Sequence, residues 1–224
     1  MNVKQSNYIK IIAILSMFSD HMGKILFPNI TVFQIIGRLA FPLFAYQICI
    51  GYLHTKNCAR YIQRLFISGT IFQLFYVFAI YALKIDENPL YLNIFFTLGT
   101  GLSCITLYEK GRFPALFFIL FLISISEFLP FSIDYGLYGV CIILFFHINS
   151  RRRLETAALL TLITLAYCFF ILGGNYLQMY SVFALIFIFK PLEVKVNIPK
   201  YFFYVFYPLH LLLLYSISML ITIL

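Results

Sequence analysis

The sequence predicts an all-α, polytopic bundle of transmembrane helices, and three observations support that prediction. Hydrophobic residues fill 62% of the 224 positions, charged residues fill 11%, and the mean hydropathy is +0.95. Such values lie outside the range of soluble domains. Long apolar runs alternate with short polar connections, and Lys and Arg gather in every second connection. Because no stretch is polar enough for a soluble domain, we expect residues 1–224 to form a single integral-membrane domain.

About nine apolar runs approach the length that a helix needs to cross a hydrocarbon core of ~30 Å. In chain order they are Tyr8–Phe27, Thr31–Leu53, Tyr61–Leu83, Tyr91–Leu107, Phe113–Phe128, Tyr135–Ile148, Glu155–Leu172, Tyr176–Phe189 and Tyr201–Leu224. The fifth, sixth and eighth are short. Pro28, Pro89, Pro130 and Pro191 fall in connections. Pro42 and Pro208 fall within spans, where proline lacks an N–H and predicts a kink.

Positive charge indicates the orientation of these spans. Lys4 and Lys10 lie near the N-terminus. The connections on the same side hold Lys56, Arg60, Arg64, Lys110, Arg112, Arg151, Arg152, Arg153, Lys190, Lys195 and Lys200. The opposite connections are poor in Lys and Arg. Since cytoplasmic loops carry the excess of basic residues, we expect a cytoplasmic N-terminus and an external C-terminus.

Charge and cysteine usage also exclude some function classes. The net charge of +8 is spread over short loops and forms no soluble basic face, so we expect no nucleic-acid partner. Five cysteines are scattered without a C-x-x-C pair or metal-ligand spacing, which predicts reduced packing residues and no metal site. Neither a phosphate-binding loop nor a dinucleotide fingerprint is present.

Beyond Lys10 near its start, the first span contains Asp20, His21 and Lys24, and the second span contains Arg38. Ionisable side chains in the hydrocarbon region are costly unless they face a protein interior or a water-filled cavity, and they commonly mark function. Counted from the tip of the hairpin between the spans, His21 lies ~10 Å deep and Arg38 ~14 Å deep. We therefore predict one buried polar site.

The roles of these residues follow from their chemistry. An imidazole level with a cation resembles a general base beside an electrostatic stabiliser, so the predicted catalytic residues are His21, Asp20 and Arg38. Two arrangements of Asp20 stay open, because adjacent helical residues point about 100° apart. Its carboxylate either contacts His21 or pairs with Arg38 to hold the hairpin together. Lys24, four residues after Asp20, is a further ion-pair partner.

Residues in other parts of the chain extend the site. Lys10 lies on the same helical stripe as His21, ~16 Å closer to the cytoplasmic surface. In the last span, Tyr207 and His210 reach the depth of His21, so both histidines are predicted to line one cavity. A single buried His is often only a hydrogen-bonded structural residue, and that alternative is kept for His210.

A basic cluster at the cytoplasmic start of the third span consists of Lys56, Arg60 and Arg64, and Arg151, Arg152 and Arg153 form a second cluster on the same side. One interpretation is that these basic residues set the orientation of the spans in the membrane and contact anionic membrane lipids. The other is a phosphate clamp for a nucleotide-bearing donor such as coenzyme A, because Arg binds phosphate in a bidentate manner.

Several spaced motifs together resemble the TraX family of membrane proteins, whose prototype acetylates the N-terminus of conjugative F-type pilin. They are Lys10-Ile11-Ile12-Ala13, Met17-x-x-Asp20-His21, Gly37-Arg38-x-Ala40-Phe41-Pro42-x-Phe44, Gly51-Tyr52 with Thr55, Tyr61-x-x-Arg64-Leu65 and Tyr204-x-x-Tyr207-Pro208-x-His210-Leu211. The family is similar to a broader group of integral-membrane acyltransferases that use coenzyme A thioesters.

The resemblance implies a multi-pass acetyltransferase of a bacterial cytoplasmic (inner) membrane, with acetyl-CoA as donor. His21 would deprotonate an amine or hydroxyl acceptor, or would itself carry the acetyl group. Arg38 would stabilise the oxyanion, and Asp20 would orient or charge the imidazole. The acceptor, presented near the outer face, would be a pilin-like peptide N-terminus or a cell-envelope glycan or lipid. A non-enzymatic transporter or assembly factor is the alternative, although repeated halves typical of transporters are not visible.

Overall fold

The computed structural model describes residues 3–83, 88–150, 152–196, 198–199 and 202–223. Their α-helices are α1 (Val3–Ile25), α2 (Thr31–Gly37), α3 (Ala40–His54), α4 (Cys58–Leu83), α5 (Ile94–Glu109), α6 (Phe113–Ser126), α7 (Gly136–Ile148), α8 (Arg153–Phe170), α9 (Ala184–Phe189) and α10 (Phe202–Ile223). A 3₁₀ helix (Tyr176–Phe183) precedes α9. Within the described ranges, β-type pairing is limited to one isolated bridge between Leu92 and Ile133. The predicted all-α fold is confirmed.

The second predicted span is divided into α2 and α3 by a turn at Arg38 and Leu39. Pro42 explains the position of this break. It has no N–H to donate to the carbonyl of Arg38, four residues earlier, and its ring crowds that carbonyl. By contrast, α10 runs through Pro208 as one helix, and the kink expected there stays a prediction.

The eighth predicted span combines two helix types. Eight residues form the 3₁₀ helix and six form α9. A 3₁₀ helix rises ~2.0 Å per residue, whereas an α-helix rises ~1.5 Å. The segment is therefore ~25 Å long, about 4 Å longer than the same residues would be in a continuous α-helix.

Four helical segments of the described residues are long and apolar enough to cross a membrane: Thr31–His54, Cys58–Ala82, Arg153–Phe170 and Phe202–Ile221. Shorter apolar helices cover four more predicted spans. Many large apolar side chains are exposed, for example Phe78 on α4 (71%) and Phe170 on α8 (77%). Apolar surface of this extent needs a lipid environment. The count of nine spans and the cytoplasmic N-terminus stay predictions.

The chain divides into two compact units, with the division inside α3. One unit contains residues 1–47 and 151–224, where α1 packs against α2 and α10, and the 3₁₀ helix packs against α2, α8 and α9. The other contains residues 48–150, where α5 packs against α4, α6 and α7. The assignment of residues 1–224 to a single domain is not tested by this division and stays a prediction.

Helices α1 and α2 approach each other closely because small residues line their contact. A Cβ atom added to Gly37 would lie 2.7 Å from the Cα atom of Asp20, and one added to Gly23 would lie 2.6 Å from the Cβ atom of Phe33. The hydroxyl of Ser19 donates to the carbonyl of Phe33 at 2.9 Å. Small residues allow membrane helices to pack at short range, and this packing brings Asp20 next to Arg38.

We predict that Gly37→Ala destabilises the protein by about 1–3 kcal/mol, the usual cost of overpacking. The added methyl group meets the backbone of α1, which has no rotamer with which to move aside. Thermal unfolding of the detergent-purified protein measures the effect. Ala158→Val on the exposed face of α8 is the control; equal stability of the two variants would contradict the close packing of α1 and α2.

Candidate functional site

An ion cluster lies where α1 meets the end of α2. One carboxylate oxygen of Asp20 accepts from the Arg38 guanidinium at 2.5 Å, and the other pairs with the Lys24 ammonium at 2.6 Å. The side chains of Asp20 and Arg38 are only 11% and 15% exposed, whereas that of Lys24 is 50% exposed. Removing one partner from a buried pair leaves an uncompensated charge, so the three residues depend on one another.

The Arg38 guanidinium joins three parts of this unit. Its Nη1 donates to the amide oxygen of Gln178 at 3.2 Å, and its Nε donates to the carbonyl of Gln34 at 3.4 Å. Gln178 lies on the 3₁₀ helix and is 2% exposed. Arg38 therefore connects α1, α2 and the 3₁₀ helix, and its guanidinium plane is fixed by partners in different directions.

Sequence analysis did not select Gln178. The available signal was a lone amide within the apolar run Tyr176–Phe189, because a polar side chain inside a span needs a protein partner. The contact between Gln178 and Arg38 could be found only from the folded structure, because the two residues are 140 positions apart in the sequence.

The second part of the site is a pair of histidines from α1 and α10. His210 Nε2 lies 2.9 Å from His21 Nδ1, with the ring centroids 4.9 Å apart. His210 Nδ1 lies 2.8 Å from the carbonyl of Phe206, one helical turn earlier. A carbonyl only accepts, so His210 Nδ1 carries a hydrogen and donates it.

This contact fixes the roles of the other ring nitrogens. In a neutral His210 the proton on Nδ1 leaves a lone pair on Nε2. That lone pair accepts from His21, so His21 carries its own proton on Nδ1. The lone pair of a neutral His21 is then on Nε2, the nitrogen that does not face His210. The arrangement leaves an imidazole able to accept a proton.

Aromatic rings surround the histidine pair. Phe206 stacks on His210 with centroids 4.9 Å apart and ring planes 8° from parallel. Phe18 lies 6.3 Å from His210, and Tyr207 packs edge-on against His21 at 6.4 Å. Apolar walls exclude water and strengthen the electrostatic interactions within them.

The structure brings together most of the residues predicted for the buried site. His21, His210 and Tyr207 are neighbours, as are Asp20, Lys24 and Arg38. Of the two arrangements left open for Asp20, the structure contains the pairing with Arg38. The ring of His21 donates a hydrogen bond to His210 on α10, and both oxygens of the adjacent carboxylate are paired with Lys24 and Arg38.

Lys10, predicted to connect the cytoplasmic surface to the site, is half-buried near the start of α1. Its ammonium donates to the side-chain oxygen of Asn7 at 3.3 Å, and the Asn7 amide donates to the carbonyl of Val196 at 2.9 Å. Asn7 is 3% exposed. The contact between Asn7 and Val196 holds the segment that precedes α10 against α1.

The predicted phosphate-binding residues Lys56, Arg60 and Arg64 are exposed at the start of α4. The side chain of Asn57 accepts from the backbone N–H of Arg60 at 3.0 Å and so caps the helix. The Arg64 guanidinium lies 5.5 Å from the centre of the Tyr61 ring. Arg151, also predicted to bind the phosphates of the donor, lies outside the described residues.

Comparison with known proteins shows the family to which this chain belongs. The family model described as TraX protein matches residues 5–218. A probable fimbrial assembly protein FimC (serogroup H1) of Dichelobacter nodosus is 26% identical over 240 residues, which cover 94% of each chain. An uncharacterized protein of Rickettsia prowazekii (strain Madrid E) is 27% identical over 117 residues, 51% of this chain and 42% of that protein. No solved structure matches.

The family match covers nearly the whole chain, including both histidines, the ion cluster and the 3₁₀ helix that carries Gln178. The apolar helices described above agree with a protein that crosses the membrane several times. This multi-pass membrane protein belongs to the TraX family.

Proposed function

We propose that this protein is a membrane-embedded acetyltransferase that moves an acetyl group from acetyl-CoA to an amine or hydroxyl acceptor. The observation that carries the proposal is the hydrogen-bonded pair of His21 and His210, next in sequence to a buried ion cluster. A neutral imidazole with a lone pair on one nitrogen and a partner on the other has the arrangement of a general base. Membership of the TraX family supports the same reaction class.

In the proposed reaction, His21 Nε2 takes the proton from the acceptor as the acceptor nitrogen or oxygen bonds to the thioester carbonyl carbon. The carbonyl oxygen becomes an oxyanion. When it collapses, the carbon–sulfur bond breaks and the coenzyme A thiolate leaves with the electron pair. The thiolate then takes the proton from His21, which returns to its neutral form. In a two-step variant, His21 Nε2 attacks the thioester itself and carries the acetyl group.

The ion cluster supplies the electrostatic part of this proposal. Arg38 and Lys24 bring two positive charges and Asp20 brings one negative charge, so the cluster carries one net positive charge. Preorganised positive charge stabilises a developing oxyanion, especially where water is excluded. Arg38 is suited to this role because its guanidinium stays protonated in proteins.

Donor, acceptor and location complete the proposal. The phosphates of acetyl-CoA would bind to basic residues on the cytoplasmic side of a bacterial inner membrane, for which the candidates are Lys10, Lys56, Arg60, Arg64 and Arg151. The acceptor would be presented near the outer face. A pilin-like peptide N-terminus is the favoured acceptor because a relative is named as a fimbrial assembly protein; a cell-envelope glycan or lipid is the other class.

A second candidate function is a non-enzymatic assembly factor, in which the same polar site docks a pilin segment. The printed name of the Dichelobacter nodosus relative supports this candidate, since assembly does not require chemistry. Release of coenzyme A thiol distinguishes the two functions, because only the enzyme consumes acetyl-CoA.

We predict that purified protein in nanodiscs releases thiol from acetyl-CoA when a membrane extract supplies the acceptor, and that His21→Ala lowers the rate by a factor of about 10²–10⁴, the contribution of a general base. His54→Ala, a change of an exposed histidine at the end of α3, is the matched control. Thiol release that survives in His21→Ala at the wild-type rate would exclude both versions of the reaction. No release by the wild type would favour the assembly factor.

A double substitution separates the structural and chemical roles of the ion cluster. We predict that Asp20→Asn and Arg38→Gln each destabilise the protein by about 3–5 kcal/mol, because each leaves a buried charge without its buried partner. The double variant recovers much of that stability, since the charge that remains, Lys24, has a side chain that is 50% exposed, but it stays inactive if Arg38 stabilises the oxyanion. Thermal unfolding and thiol release, measured on the same samples, test this. Recovery of activity together with stability would restrict Arg38 to a structural role.

The basic cluster on α4 is tested by its effect on donor affinity. We predict that Arg60→Ala combined with Arg64→Ala raises KM for acetyl-CoA at least about tenfold, since each Arg–phosphate contact contributes on the order of 1.5 kcal/mol. The maximal rate should change little, because neither residue touches the reacting atoms. The control is Arg112→Ala at the start of α6. An unchanged KM would favour the lipid-contact interpretation.

A further inference from the structure

His210 is held more firmly than a cavity-lining residue requires. It is 3% exposed, one ring nitrogen donates to the Phe206 carbonyl, and the other faces His21. We propose that His210 is a positioning residue for the acetyl transfer proposed above: it holds His21 in the tautomer with the proton on Nδ1 and the basic lone pair on Nε2. This inference rests on the proposed function for its catalytic meaning but not for its geometry.

The direction of the hydrogen bonds supports this assignment. The Phe206 carbonyl belongs to the backbone of α10, so it is a fixed acceptor that no rotamer change removes. It determines which nitrogen of His210 carries the proton, and His210 in turn determines which nitrogen of His21 carries one. His210 therefore links the tautomer of the proposed base to the backbone of α10, while the carbonyl of Met17 on α1 is a further hydrogen-bond partner of the His21 ring.

In catalytic triads a carboxylate orients the base and balances the charge that forms on it. Asp20 is the neighbouring carboxylate, yet its two oxygens are engaged with Lys24 and Arg38. A neutral imidazole takes the orienting position here. It introduces no negative charge that could oppose the attacking acceptor or the developing oxyanion.

His210 also provides a place for the proton that arrives during the reaction. When His21 Nε2 accepts a proton, its Nδ1 proton is free to move to His210 Nε2, and the return of a proton to the thiolate reverses the shift. The pair therefore carries one extra proton in either arrangement. The face of Phe206, parallel to His210 at 4.9 Å, favours the cationic ring.

Three substitutions at one position separate positioning from packing. His210→Gln places an amide oxygen near the original Nε2, where it accepts from His21. His210→Asn is shorter; its amide reproduces the donation to the Phe206 carbonyl but does not reach His21. His210→Leu fills the space without either contact. Together with the exposed-residue control His54→Gln, these variants distinguish the loss of a ring from the loss of one hydrogen bond.

We expect His210→Asn and His210→Leu to lower kcat on the order of 10–100-fold, the range seen when the partner that orients a histidine is removed. KM for acetyl-CoA should stay unchanged, and His210→Gln should keep a higher rate than His210→Asn or His210→Leu, because its amide oxygen still accepts the hydrogen bond from His21. If His210→Leu does not fold, the difference in kcat between His210→Gln and His210→Asn tests the positioning role. Wild-type rates in His210→Asn, or equal losses in Gln and Asn, would overturn the positioning role.

A measurement independent of activity tests the tautomer itself. In protein labelled with ¹⁵N-histidine, the nitrogen shifts of His21, assigned by their loss in His21→Ala, should report a protonated Nδ1 and an unprotonated Nε2. In His210→Leu this preference should weaken, because the Met17 carbonyl is then the hydrogen-bond partner left to the His21 ring. A His21 signal with its proton on Nε2 in the wild type overturns the inference, whether or not thiol is released. An inactive wild type with the expected shifts refutes the proposed function alone.

Discussion

The Asp20 carboxylate, held between Arg38 and Lys24, is the interaction on which the site-bearing unit depends. Charges that are largely removed from solvent are tolerated only with close partners, so these side chains have little freedom. Because the Asp side chain is short, Asp20 contacts Arg38 only where α1 and α2 lie close together. Gly37 makes the approach possible, and Pro42 interrupts the helix so that Arg38 lies at its end.

The same cluster determines what surrounds His21. Because Asp20 is engaged with two cations, the ring of its sequence neighbour is free to turn towards α10, where His210 receives it. Gln178 extends the cluster to the 3₁₀ helix, whose longer rise per residue helps a short segment to cover more of the membrane thickness. An ion pair on one side of α1 and a histidine pair next to it therefore form one continuous polar region.

A membrane interior explains why these polar side chains are paired with one another. A low-dielectric surrounding strengthens each hydrogen bond and makes every unpaired polar group costly, so only a mutually satisfied network persists there. The ion cluster and the histidine pair meet that condition through partners on α1, α10 and the 3₁₀ helix.

The sequence by itself determined the fold class, the helix boundaries to within a few residues, and the first, second and last predicted spans as carriers of the candidate site. These features follow from hydropathy, proline and the cost of charge in lipid, all of which act locally along the chain. Only the tertiary structure decided that Asp20 pairs with Arg38 and that His21 bonds to His210. It also revealed Gln178. Such contacts join residues as much as 189 positions apart, and their choice depends on helix packing that a linear pattern does not encode.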